Sequence, residues 1–191
     1  MSMRSRDRNL APQPGRRSFL AAAGALCGAA ASFAAAPVLA AAGGASRCVS
    51  FVHTHTGERL RAPYYQDGSY RADTLAQVNH LLRDFRTGDV HPIDPSLLDI
   101  LYELQLRADR EEPFQVICGY RSPATNAMLH QRSEGVAVHS MHLEGRAIDI
   151  RLGGYSTAEL ASHARTLARG GVGYYRQSDF VHVDTGRVRS W

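Results

Sequence analysis

Two short segments constrain this chain more than any others: Ala147–Leu152 (Ala-Ile-Asp-Ile-Arg-Leu) and Phe180–Asp184 (Phe-Val-His-Val-Asp). Successive side chains of a strand point to opposite faces. Ile148 and Ile150 therefore go to one side and Asp149 to the other. In the second segment Val181 and Val183 share one face, and Phe180, His182 and Asp184 share the opposite one. If the two strands are neighbours, their branched aliphatics meet in a core while Asp149 and His182 come together on the outer face. His142 precedes Asp149 by seven residues, across a turn at Glu144-Gly145, so it can fold back toward that face. Two imidazoles, one carboxylate and an open fourth position are the N/O donor set of a catalytic zinc.

The rest of the chain reads as a mixture of helix and strand. Residues 48–53 and 59–65 are predicted strands, separated by a turn at 55–58, with Asp67-Gly68 turning next. Leu75, Val78, Leu82 and Phe85 recur at helical spacing within 72–86. Asp94-Pro95 has the pattern of an N-cap followed by proline at the first helical position, opening a helix on Leu97, Ile100, Leu101 and Leu104. Phe114–Cys118 is a short apolar strand. Ser122-Pro123 repeats the cap signal before a helix to about residue 131. A helix over 157–169, on Leu160, Ala164 and Leu167, and a short strand over 172–175 complete the set. Helices cluster early and strands late, which predicts an α+β fold rather than a parallel α/β sheet.

The first 40 residues are expected to be a cleaved export signal. They run from a basic stretch ending Arg16-Arg17-Ser18-Phe19-Leu20, through an Ala/Gly-rich apolar stretch, to small residues around Ala40. Adjacent arginines before Phe-Leu and a weakly apolar core resemble a twin-arginine signal, which places the mature protein in the periplasm without a stable membrane anchor. The 191-residue chain has a formal charge of +4, and residues 1–40 hold five Arg and one Asp, which is the whole of it. Residues 41–191 carry 17 Arg, no Lys and 17 acids, in a single domain's length. A neutral domain gives no electrostatic case for nucleic acid. Cys48 and Cys118 lack metal or redox spacing and lie in strand-like contexts, so two buried free thiols are expected. His53-x-His55 reads as polar turn residues, His139 as surface or else a group that supports the ligands or meets substrate, and Gly170-Gly171-Val172-Gly173 as glycines allowing close backbone approach before a strand. Neither a Gly-x-Ser-x-Gly elbow nor a His-Glu-x-x-His helix is present.

Ser140, His142, Gly145, Ala147 and Asp149 form Ser-x-His-x-x-Gly-x-Ala-x-Asp, which resembles the first metal motif of LAS-type zinc peptidases. That group holds lysostaphin, the D-Ala-D-Ala peptidases and the Sonic hedgehog fold. Gly119-Tyr120-Arg121-Ser122-Pro123 with Asn126 resembles its second signature, and Asp179-x-x-His182 its acid-x-x-His end motif. Together with Gly170–Tyr175 and Phe180-Val181-His182, these are most similar to the murein endopeptidase branch, over nearly all of the mature chain.

The resemblance implies a hedgehog/DD-peptidase-like fold, a small antiparallel sheet with helices packed on one side. It implies one Zn2+ per chain held by His142, Asp149 and His182, with Arg121 stabilising an oxyanion or holding a substrate carboxylate. Asp179, standing where relatives place a Glu, is the expected general base. Asp184, on the face of His182, is its rival or else orients the ligand. Tyr174, Tyr175 and Arg176 are candidates for the cleft wall. The implied substrate is peptidoglycan, cut at D-Ala–diaminopimelate bonds, with diaminopimelate–diaminopimelate bonds as the second candidate. A stem-peptide carboxypeptidase or dipeptidase and a non-catalytic, metal-stabilised peptidoglycan-binding module are the alternatives.

Overall fold

A computed structural model describes residues 46–132 and 137–191. The export-signal reading of residues 1–40 lies outside them. In chain order the elements are β1 (Arg47–His53), β2 (Arg59–Gln66), β3 (Ser69–Tyr70), α1 (Ala72–Leu81), α2 (Pro95–Ala108), β4 (Phe114–Cys118), α3 (Pro123–Arg132), a 3-10 turn (Met141–Glu144), β5 (Ala147–Leu152), α4 (Thr157–Leu167), β6 (Gly171–Tyr175), β7 (Phe180–Asp184) and β8 (Arg189–Ser190). The α+β expectation holds.

All eight strands join one sheet in the order β3-β2-β1-β4-β5-β7-β6-β8. It is neither small nor wholly antiparallel. β1 pairs parallel with β4, and β6 parallel with β8, while the other neighbours are antiparallel. The β1–β4 pairing is possible because α1 and α2 intervene and return the chain in the same direction. On one face Val116 lies opposite Ile150, Ile150 opposite Val181, Ile148 opposite Val183, and Val183 opposite Val172. This aliphatic row is buried with Val78 and Leu81 of α1, Leu97, Leu101 and Leu104 of α2, and Leu160, Ala161 and Ala164 of α4. Helices on one side therefore describes α1, α2 and α4. α3 contributes nothing to this core; its buried residues are Thr125 and Asn126, which face the functional motifs.

Local chemistry sets the element ends. Asp94 caps α2 by accepting from the Ser96 N–H at 2.9 Å, with Pro95 at the first helical position, as the sequence predicts. α1 stops five residues short of the predicted 86 because the chain wraps around Asp84. That buried carboxylate accepts from the backbone N–H of Arg86 (3.0 Å), the backbone N–H of Ser122 (2.9 Å) and the Ser122 hydroxyl (2.7 Å). The side chain of Asp84 thus ties the α1 end to the Gly119–Pro123 corner.

Cys118 and Cys48 are both free, but only Cys118 is buried; Cys48 is exposed, correcting the expectation of two buried thiols. In β1 the buried positions are Val49, Phe51 and His53, so Cys48 falls on the alternate face. His53, expected as a turn residue, ends that buried row. Its Nδ1 accepts from the His55 N–H at 3.2 Å. Among the described residues no helix is long and apolar enough to cross a membrane.

Candidate metal centre and its cleft

The register places Asp149 of β5 directly opposite His182 of β7, on the face away from the aliphatic row. His142 arrives from the 3-10 turn. Ser140 caps that turn by accepting from the His142 N–H, and Gly145 ends it at φ 65°. A Cβ at Gly145 would lie 2.1 Å from the Pro92 carbonyl oxygen, so the fold-back that returns His142 over Asp149 requires glycine there. Ala147, opposite Asp184 and fully buried, keeps the space beside that aspartate small.

Three atoms converge. His142 Nε2 lies 3.2 Å from His182 Nδ1 and 3.3 Å from Asp149 Oδ1, and His182 Nδ1 lies 2.9 Å from Asp149 Oδ1. All three side chains are buried. The outward nitrogens fix the tautomers. His142 Nδ1–H donates to the Gly119 carbonyl at 2.6 Å, and His182 Nε2–H donates to Asp184 Oδ2 at 3.1 Å. Both inward nitrogens therefore present lone pairs. Three lone-pair atoms this close repel one another unless a cation lies among them. Bonds of 2.0–2.1 Å to a tetrahedral zinc place donors about 3.3 Å apart, so the N,N,O set fits such an ion after slight expansion. With no metal, a proton serves. Burial disfavours charge on His142, but the Asp149 carboxylate overrides it and raises the imidazole pKa to about 10. Burial likewise opposes charge on Asp149, yet the two histidines hold its carboxyl far below the usual range.

The family model for peptidoglycan L,D-endopeptidase MepK matches residues 41–191. The chain belongs to the MepK family. Among MepK relatives, the probable peptidoglycan L,D-endopeptidase of Haemophilus influenzae is 43% identical over 146 residues, covering 76% of this chain and 78% of that protein. The peptidoglycan L,D-endopeptidase MepK of Escherichia coli K12 is 41% identical over 145 residues, covering 76% and 80%. The L-Ala D-Glu endopeptidase ChiX of Serratia marcescens, a solved structure, is 24% identical with a TM-score of 0.33 over 40% of this chain and 62% of its own, a likeness too slight to build on.

Around the centre of this MepK chain lies a cleft of about 410 Å³, lined by Arg121, His139, Ser140, Tyr175, Phe180 and Trp191 among others. Arg121 is 9% exposed. It follows the turn after β4, where Gly119 passes so close to Leu82 that a Cβ would sit 2.5 Å from its carbonyl oxygen. Its Nη1–H donates to Asn126 Oδ1 at 3.2 Å, its Nη2 lies 3.9 Å from Asp149 Oδ2, and its buried Nε–H has no partner among the described residues. Asn126 in turn donates to the carbonyls of Ala137 and Val138, each at 3.2 Å, tying the guanidinium to the cleft wall.

Two expected acids separate. Asp184 is fully buried behind His182, where it also accepts from the Gly171 and Gly186 N–H groups and from both Nη atoms of Arg189. It is placed to orient the imidazole, and every one of its lone pairs is occupied. Asp179 is not brought to the centre. It sits at φ 52° in the β6–β7 turn, exposed, where its Oδ1 accepts from the Thr157 hydroxyl at 2.7 Å and its Oδ2 lies 3.5 Å from Arg151 Nε. The turn breaks strand alternation, so counting back from His182 misplaces this side chain. Of the three wall candidates, Tyr175 lines the cleft; Tyr174 packs against the hydrophobic core and Arg176 is exposed.

Sequence reasoning missed Cys118. A bulge between Val116 and Cys118 inserts one extra residue in β4, so Cys118 pairs with Asp149 on the polar face. Its sulfur accepts from Arg121 Nη2 at 3.7 Å and lies within 4.8 Å of a donor atom of each of His142 and Asp149. Nothing in the local pattern announces the bulge.

Proposed function

We propose that this chain is an exported zinc endopeptidase that hydrolyses peptide cross-links of peptidoglycan. One observation carries the reading: two tautomer-fixed imidazole lone pairs and a buried carboxylate oxygen meet within 3.3 Å of one another at the floor of an open cleft. His142 Nε2, Asp149 Oδ1 and His182 Nδ1 would hold one Zn2+, which supplies Lewis acidity and a bound water of lowered pKa. The chain's own residues do the rest. Gly119 and Asp184 hold the outward ring protons, so the inward nitrogens are the ones that turn lone pairs to a metal. Arg121, with an unmatched Nε–H, offers a positive donor to a carbonyl oxygen gaining charge or to a substrate carboxylate. With Asp179 turned away, His139 is the cleft-lining imidazole outside the donor trio and takes its place as candidate proton carrier. The relatives' names specify an L,D bond. A D-Ala–diaminopimelate junction joins two D centres, so the diaminopimelate–diaminopimelate junction becomes the first expectation for this chain.

The test is metal analysis of the purified protein paired with chromatography of digested cross-linked muropeptides. One zinc per chain and release of monomers from dimers supports the reading. Zinc-loaded protein that leaves every dimer intact overturns it; release of D-Ala from uncross-linked stems would support the carboxypeptidase reading, and wall binding without any cleavage the binding-module reading. Export is tested separately. Replacing Arg16 and Arg17 together with Lys should leave the protein in the cytoplasm if the twin-arginine route is used.

A further inference from the structure

The polar face of the sheet carries a transverse row: Cys118, Asp149 and His182 lie opposite one another in turn across β4, β5 and β7, and Gly173 of β6 comes next. Gly173 leaves a gap in the row, and Trp191 fills it. A Cβ at Gly173 would lie 2.7 Å from the indole Cε2. The indole is held on several sides. Its Nε1–H donates to the Tyr175 hydroxyl at 3.0 Å, and the Arg189 guanidinium stands 4.9 Å from its ring centre. Its backbone N–H donates to the Val172 carbonyl at 3.2 Å, and its carbonyl accepts from the Tyr174 N–H at 3.0 Å. The ring centre is 5.4 Å from that of His182, yet Trp191 stays 50% exposed and takes no part in the hydrophobic core.

A large aromatic ring seated in a glycine gap, fixed by polar contacts and left open to a cleft is arranged for contact with a ligand rather than for packing. Tyr175 and Phe180, stacked at 4.5 Å, extend the same wall. The Arg189 charge is already neutralised by Asp184, so around Trp191 the cleft offers mainly hydrocarbon surface. The same cleft also offers the polar groups of Arg121 and Ser140. We infer that Trp191 is a specificity-determining substrate contact: it receives the alkyl stretch of a side chain whose far end is polar, next to the bond to be cut. The diaminopimelate side chain has that character. This inference rests on the peptidase reading above and names which part of the substrate the aromatic wall takes.

Trp191 is the only tryptophan in the sequence, so its fluorescence reports on this wall alone. Titrating zinc-loaded protein with a purified muropeptide monomer, which carries diaminopimelate and no cross-link to cut, should shift the emission to the blue and saturate. Trp191→Ala should raise KM for the cross-linked dimer about tenfold, the loss expected for one aromatic contact, with kcat little changed. Trp191→Phe should recover most of that loss, and zinc affinity should match wild type in both variants. A flat fluorescence titration, or a variant whose zinc affinity falls while KM holds, overturns the inference; the second result would make Trp191 a prop for His182. If the protein cleaves no dimer at all, the peptidase reading fails on its own, while the fluorescence titration still decides whether the peptide docks against the indole.

Discussion

Asp184→Asn separates the ligand-orienting role of this carboxylate from its structural one. In the native site Oδ1 takes the N–H groups of Gly171 (3.1 Å) and Gly186 (2.8 Å) together with Arg189 Nη1 (3.1 Å), while Oδ2 takes His182 Nε2–H (3.1 Å) and Arg189 Nη2–H (2.7 Å). Asparagine keeps one oxygen for the first group and turns an NH2 toward the second, setting donor against donor. His182 relieves the clash by moving its proton to Nδ1, where it points at Asp149 and occupies the lone pair meant for a metal. Losing a charge-assisted hydrogen bond costs about 1.5–3 kcal/mol, a 10- to 150-fold loss of affinity, in line with other residues that orient metal-bound histidines. Asp184→Ala is a different lesion. It leaves the buried Gly171 N–H without its acceptor and the half-buried Arg189 without its counter-charge, for about 1–3 kcal/mol of folding stability. Zinc affinity should be measured by competition with a chromogenic chelator, and stability by denaturant unfolding in EDTA. An asparagine variant that folds and binds zinc as tightly as wild type would refute the tautomer argument.

Asp179→Asn should leave kcat/KM within about twofold and lower stability by no more than about 1 kcal/mol, since Asp179 is exposed and its half-buried partners lie outside the cleft; a thousandfold loss of turnover would restore it as the base. A thiol reagent should modify Cys48 in the native protein and Cys118 only on unfolding, read by mass spectrometry of the tryptic peptides. Acid should destabilise the fold through Asp84. Burial alone would raise its pKa, but hydrogen bonds from Thr125, Ser122 and the Arg86 backbone hold it below the ordinary 3.8. Its contribution is therefore complete above about pH 4 and is lost as pH falls through the depressed value. Asp84→Asn should flatten that decline in unfolding curves taken between pH 5 and 2.

Much of this architecture is legible in the residues because burial follows a simple period. Ile148, Ile150, Val181 and Val183 declare the core face of β5 and β7, and the same alternation sends Asp149 and His182 to the other side. Asp94-Pro95 marks its helix start through cap chemistry that depends on neighbours in sequence alone. What stayed hidden depends on contacts distant in sequence. β3 and β8 are two residues each and exist only because β2 and β6 offer them an edge. The early end of α1 is set by Asp84 reaching Ser122, 38 residues on. Asp179 kept the motif spacing of the family, but a left-handed turn residue next to the strand sends its side chain toward Arg151.

The extra residue in β4 acts as a change of phase. Before it, Phe114 and Val116 address the aliphatic interior; after it, Cys118 and the corner leading to Arg121 overhang the opposite side of the sheet. Excising Ile117 would remove the bulge and return β4 to simple alternation, in which Cys118 still meets Asp149 on the polar face and the arginine corner keeps its side. A one-residue deletion here should thus yield a folded protein whose two halves of the site still face each other, altered only in the local bend of β4.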